Sequence, residues 1–300
     1  MKINRYLLIA GLGMALAGAI FVGCKKSDNT TTNNPNDITA AQDDNNANFA
    51  VQDTKNVADG AAKSQPVERL ANAPCAHISF HKDTINHTSD SLIDINFGSS
   101  PCLCLDNRYR SGHILVWYAG VHCFTVNGDS TVMGFNGYSF GNSPSSMIGV
   151  SGTRTLINLG TDTGNGLYSW KFHAALTLTY PGNGGTATWN STRTIALTSY
   201  MGTNYFMVTG GANGTCRSGA TYTITINNSY PLYIQPPLCV HFNYMSTPCA
   251  FIEAGELTIT VSTFSYPIYV SFGSGNAMPP VCESKATATI NGVAYNFTQP

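Results

Sequence analysis

The chain is 300 residues long, carries a formal net charge of −1, and only 10% of its residues are charged. A composition so sparse in charge excludes nucleic acid as a partner, because phosphate binding needs clustered lysine and arginine. Hydrophobic residues make up 43% of the chain, enough for a sizeable core and too many for a wholly disordered polymer.

At the N-terminus Lys2 and Arg5 precede an apolar run from Tyr6 to Val22, and the small residue Gly23 follows. That is the layout of a secretory signal. The run is short and glycine-bearing for a spanning helix, which takes about 20 apolar residues. Phe21-Val22-Gly23-Cys24 resembles a bacterial lipobox, with Phe21 standing where leucine is usual. The resemblance implies a signal peptide at residues 1–23, cleaved ahead of Cys24, and an acylated Cys24 that binds membrane lipid through diacylglycerol and a further acyl chain such as palmitate. Each buried methylene contributes about 0.8 kcal/mol, so two or three long chains anchor the protein without spanning the bilayer.

Residues 24–65 are rich in asparagine, aspartate, threonine, alanine and glutamine, with Ile38, Phe49, Val51 and Val57 among the few large apolar side chains. Such a segment buries too little surface to offset its chain entropy, which predicts a flexible low-complexity tether. A weak helix over residues 38–62, capped by Asp37, is the alternative within it.

From residue 66 to residue 300 the rhythm is two. Stretches such as "HILVWY" from His113, "ATYTITI" from Ala220 and "GELTITV" from Gly255 alternate apolar and polar residues, and "PGNGG" and "GGANG" punctuate them as turns. The pattern predicts an all-β domain, a single β-sandwich or barrel-like body.

Cysteine spacing suggests duplicated terminal β-units. "CAHISF" from Cys75 and "CAFIEA" from Cys249 each lead to a Phe-Gly-Ser, at Phe97 and Phe272. A cysteine follows in each, Cys102 or Cys104 in the first and Cys282 in the second, and then a glycine, Gly112 or Gly292, heads a strand. With Cys24 assigned to lipid, eight cysteines remain in an exported chain, where disulfides are the default. The repeat predicts Cys75 with Cys104 (or Cys102) and Cys249 with Cys282. The remaining cysteines are paired as Cys102 with Cys123 and Cys216 with Cys239. "GTRTLINLG" at Gly152 and "STRTIALTS" at Ser191 are read as two similar strands.

These features, with "WNSTRT" at Trp189, Arg110-Ser111-Gly112, Arg217-Ser218-Gly219 and the closing Asn291-Gly292, resemble a group of uncharacterised Bacteroidota outer-membrane lipoproteins. The resemblance implies attachment to the outer membrane and brings no activity or catalytic residue. Lys25-Lys26-Ser27-Asp28 fits the acidic surface-export pattern of that phylum poorly, so the periplasmic and cell-surface faces both stay open. The O-glycosylation pattern of the phylum is matched at Thr84, Ser91 and Ser130, with ordinary turn and strand composition as the alternative.

Chemistry is harder to find. Glycosidases use two carboxylates flanking the scissile bond, yet no Asp or Glu lies between Asp162 and Glu253. No nucleophile elbow, phosphate loop or His-Glu-x-x-His helix occurs. The residues imply neither cofactor nor metal, and the one metal-like grouping, Cys102 and Cys104 with His113, His122 and Cys123, reads as disulfide cysteines. Trp117, Tyr118, Trp170, Trp189, Tyr200 and Tyr205 are candidates for a sugar-binding platform, although aromatics on alternating strands are usually core. Tyr200 and Tyr205, flanking "MGTN", are the pair expected to be exposed and to bind ligand. The sequence thus points to a lipid-anchored, non-enzymatic envelope protein that binds or presents a glycan or an envelope protein. A hydrolase built from Asp106, His113 and Glu283 is the alternative, and a purely structural lipoprotein the third reading.

Overall fold

The computed structural model describes residues 38–63, 69–70, 73–82, 91–119, 127–161, 168–200, 203–234, 251–273, 275, 280 and 282–299. One helix, α1 (Thr39–Lys63), opens this part of the chain, and sixteen strands follow. The first six are β1 (Arg69–Leu70), β2 (Ala73–Lys82), β3 (Ser91–Asn96), β4 (Cys102–Leu103), β5 (Tyr109–Ala119) and β6 (Ser130–Gly141). The long central strands are β7 (Ile148–Thr161), β8 (Tyr168–Thr179), β9 (Thr186–Tyr200) and β10 (Thr203–Thr215). The last are β11 (Thr221–Ile226), β12 (Leu232–Ile234), β13 (Ile252–Val261), β14 (Ile268–Gly273), β15 (Lys285–Ile290) and β16 (Val293–Thr298).

All strands join one antiparallel sheet that runs almost in sequence order from β1 to β16, with β4 and the short β12 set off the main path. The all-β expectation holds, and the single continuous sheet makes the body barrel-like. Alternation decides which way each side chain points. In β11, Tyr222, Ile224 and Ile226 are buried while Thr221, Thr223 and Thr225 are exposed. In β8, Trp170, Phe172, Ala174, Leu176 and Leu178 point inward, and Lys171, Ala175 and Thr179 are exposed.

The sheet curls around α1. Residues on every side of the helix are buried, among them Ala40, Asp44, Ala47, Asp53, Thr54 and Ala58. The 25-residue helix spans about 37 Å. Its contacts move back along the strand order as the helix advances. Asp43 accepts from the Tyr180 hydroxyl after β8 and pairs with Arg217 after β10. Asp44 and Asn48 then meet Trp189 and Arg193 of β9. Next, the Val51 carbonyl accepts from Arg154 of β7 at 2.8 Å. Finally Asp53 takes Arg110 of β5 and the Tyr138 hydroxyl of β6.

Over residues 39–63 this corrects the expected tether, whose first part, residues 24–37, lies outside the described residues. The helix alternative for residues 38–62 is the structure seen, one residue apart at each end, and it is the plug of the core. The compact unit therefore begins at Asn34, and residues 66–300 alone are an incomplete body. Alanine-rich faces let the backbone approach the sheet closely, while the asparagines and aspartates give the helix little intrinsic stability. Packing and ion pairs hold it.

The duplicated ends are two meanders of the same order. β2, β3 and β5 are consecutive neighbours, as are β13, β14 and β15. Phe97 and Phe272 are both buried, and each is followed by a glycine with positive φ, Gly98 (81°) and Gly273 (48°). At Gly273 a Cβ would stand 2.0 Å from the Glu253 carbonyl oxygen, so that turn excludes every other residue. Gly112 (φ 76°) sits where the β5–β6 register slips between Ser111 and His113. A Cβ there would lie 2.2 Å from the Gly137 carbonyl oxygen, and the slip bends the sheet as a bulge does.

Candidate functional site

The outer face of β7–β11 carries a shallow trough. Across it, Thr153, Ala175, Asn190, Asn213 and Thr223 face one another strand by strand. Beside that row runs a second, Thr155, His173, Thr192, Gly211 and Thr225. Neighbouring strands are about 4.8 Å apart, so the rows form a regular grid of hydroxyl and amide groups. The trough has a volume of about 450 Å³. Asn190, Asn213 and Thr223 also line a second hollow of about 500 Å³ that continues toward Thr221, Thr260 and Ser262.

Alternation explains the chemistry. The inward positions of these strands hold the core, and their outward positions along the trough are Thr, Asn, Ala, Gly and His. The floor is low at Gly211, where a Cβ would meet the Ile224 carbonyl oxygen at 2.2 Å. The His173 ring lies 3.1 Å from the Thr192 hydroxyl, and Ser191 donates to the Gly211 carbonyl. Neither hollow is lined by Asp, Glu, Lys or Arg. The arginines of these strands point the other way. Arg154 and Arg193 are buried against α1, where their guanidiniums lie over the rings of Phe172 and Trp189. Burial lowers the pKa of Arg193, against Asp44 which raises it, and burial lifts the Asp44 carboxyl in turn.

The aromatic platform does not form. Trp170, Trp189 and Tyr205 are buried, Tyr205 only 4% exposed. Tyr205 meets Tyr233 of β12 edge-on, 6.3 Å between centroids, which corrects its assignment as an exposed ligand contact. Tyr200 ends β9 opposite Thr203, and its side chain lies outside the described residues. Trp117 and Tyr118 are half-buried on β5.

The hydrolase residues are taken up elsewhere. Asp106 binds Arg110, whose guanidinium helps hold its carboxyl below the usual range against the opposing effect of burial. His113 lies 2.9 Å from Asp94. Glu283 offers its carbonyl to Gln299. None of Asp106, His113 and Glu283 lines either hollow.

The disulfide map keeps the first expected pair, in its second form, and overturns two others. Cys75 is bonded to Cys102, the alternative within the first predicted pair, and Cys104 is a buried free thiol. The bond from Cys75 occupies Cys102, which overturns Cys102 with Cys123. Cys216 is also a buried free thiol, which overturns Cys216 with Cys239. Its sulfur rests 3.1 Å from the Ser218 hydroxyl and 3.2 Å from the Ala220 carbonyl. Cys282 is disulfide-bonded, and its expected partner Cys249 lies outside the described residues, as do Cys24, Cys123, Cys239 and Thr84. Ser91 begins β3 and Ser130 begins β6; Ser130 is half-buried and the Ser91 side chain is outside the description.

Fold and site together define a β-barrel-like shell, plugged by a polar helix, with an uncharged hydroxyl-and-amide trough on its outer face. The chain matches no protein-family model, no curated protein and no solved structure.

Proposed function

We propose that this chain is a lipid-anchored protein of the bacterial outer membrane that binds a neutral glycan in the trough across β7–β11 and carries out no reaction on it. The observation that carries the reading is the lining itself: threonine, asparagine, serine and histidine, with no charged side chain. A neutral sugar presents hydroxyls that both donate and accept, and asparagine amides and threonine hydroxyls do the same. Each such bond contributes about 0.5–1.5 kcal/mol net, so useful affinity requires several subsites, which a grid repeating across five strands supplies. The lack of a carboxylate in the trough argues against glycoside hydrolysis there. Supporting the anchor is Phe21-Val22-Gly23-Cys24, and a native N-terminus read by mass spectrometry tests it.

The binding test is a screen of neutral polysaccharides against the chain from residue 34 onward, with Ala175→Trp as the control. Ala175 points outward in the middle of the trough, so the indole fills the groove without entering the core. Glycan retention by the wild type and its loss in A175W is the expected result. Equal retention by both, or retention only of an envelope protein, overturns the assignment of the trough to glycan.

A further inference from the structure

Three sulfurs gather where β2 meets the β4–β5 turn. Those of Cys75, Cys102 and Cys104 all lie within 4.8 Å of one another, although only Cys75 and Cys102 are bonded. Cys104 is fixed by a tight turn: its amide donates to the Arg108 carbonyl at 2.8 Å, and its carbonyl accepts from Asn107 at 3.0 Å. Asn107 takes a positive φ of 61°, a conformation asparagine tolerates. A free thiol is thus held rigidly beside a disulfide.

We propose that these three cysteines form an intramolecular thiol–disulfide exchange centre, in which Cys104 displaces Cys102 from Cys75. The Cys104 thiol gives its proton to solvent, and its thiolate attacks the Cys75 sulfur. The Cys75–Cys102 bond breaks as the Cys75–Cys104 bond forms. Cys102 leaves as a thiolate and takes up a proton, so one disulfide and one thiol remain and no oxidant or reductant is consumed. Cys102 and Cys104 are two residues apart, so either can reach Cys75 with a small movement of the same turn.

Arg110 is the counter-charge for this step. Burial raises the Cys104 pKa, while the Arg110 guanidinium beside it opposes that rise, and Asp106 and Asp53 add to it. The same guanidinium holds Asp53 of α1. A Cys104 thiolate therefore shares its cation with the plug helix, which links the sulfur chemistry to the seating of the helix.

The test uses the mature chain without added reductant. It is held at about pH 6 or about pH 9 with iodoacetamide, acidified, proteolysed unreduced, and sequenced by tandem mass spectrometry across Leu103 to locate the label. Exchange places label on Cys102 as well as Cys104, with a Cys102-labelling rate that rises about tenfold per pH unit below the thiol pKa. Cys102→Ser gives a second measurement, expected to show a Cys75–Cys104 bond. Absence of label from Cys102 in the wild type at both pH values, whether or not Cys104 is labelled, overturns the proposal, as does Cys102→Ser with Cys75 and Cys104 both left as thiols after air oxidation.

Discussion

Asp53→Ala removes one carboxylate from the middle of the plug helix, and its cost can be worked from its partners. Asp53 accepts two bonds from Arg110 and one from the Tyr138 hydroxyl at 2.9 Å. The Arg110 side chain is 3% exposed, and its other anion, Asp106, is 38% exposed and shared with Arg108. With Asp53 present, Arg110 has a pKa above the ordinary arginine value despite its burial, Asp53 being the largest favourable influence. Breaking a buried pair by removing one partner costs about 3–5 kcal/mol, because the other charge is left uncompensated. That is a large share of a stability of about 5–15 kcal/mol. In urea, followed by far-ultraviolet circular dichroism, a slope of about 3 kcal/mol/M turns the loss into a midpoint shift of at least about 1 M. Asp53→Leu with Arg110→Met recovers most of it, since a buried pair replaced by apolar groups is often neutral or better. A shift for Asp53→Ala no larger than that of the exposed Lys285→Ala refutes the reasoning and removes α1 from the core.

The remaining expectations test the same architecture from other sides. A chain starting at residue 66 leaves Arg110, Arg154 and Arg193, all buried, without their helix partners; it fails to fold by circular dichroism, and a peptide of residues 39–63 added in trans restores strand signal. Asp44→Asn leaves the buried Arg193 beside an amide in place of the carboxylate 3.7 Å away and costs about 3–5 kcal/mol in a urea titration read by tryptophan fluorescence, although the amide oxygen keeps the bond from Trp189. Glu253 is 1% exposed, and burial pushes its carboxyl up to about 7 from 4.5. The native state then holds the proton that the unfolded chain releases, so this contribution is complete below about pH 4.5 and is lost as pH rises through about 7. The loss reaches about 3 kcal/mol, and Glu253→Gln abolishes it in denaturation curves taken across that window. Glycan binding in the trough changes less than twofold between 0.1 and 1 M salt, because no charged group lines it for ions to screen; a tenfold fall points to a charged ligand.

How far the sequence discloses this arrangement depends on the range of the interaction. Strands such as β11 are legible because each Thr–aliphatic alternation is local, and the two Phe-Gly turns are legible because each places a glycine at positive φ. The plug was hidden. Composition marks residues 39–63 as unable to bury apolar surface, and that is true of the segment in isolation; its burial is completed by tyrosine, tryptophan and arginine side chains up to 175 positions away. Cys102 and Cys104 could not be separated, since residues two apart on an extended chain point the same way. Tyr205 misled for a related reason: alternation places it opposite the buried Phe206 on β10, but Tyr233 of the off-path strand β12 covers that side too.

One signal could have exposed the plug. The stretch from Asp162 to Glu253 holds Arg193 and Arg217 and no acidic residue between its ends, while residues 39–63 hold Asp43, Asp44, Asp53 and Asp59. An arginine at an inward position of an alternating strand must find an anion, because an unpaired buried charge is not tolerated. For Arg193, flanked by the outward Thr192 and Thr194, the aspartates before the first strand are one such supply. The same bookkeeping bears on the trough. Arg110, Arg154, Arg193 and Arg217 all turn to α1 or its flank, so β7–β11 spend their arginines inward and present hydroxyls and amides to solvent between them. The plug and the neutral outer face are two consequences of one alternation: shifting β7 or β9 by one residue would at once take Arg154 or Arg193 from the helix and turn it to the outer face.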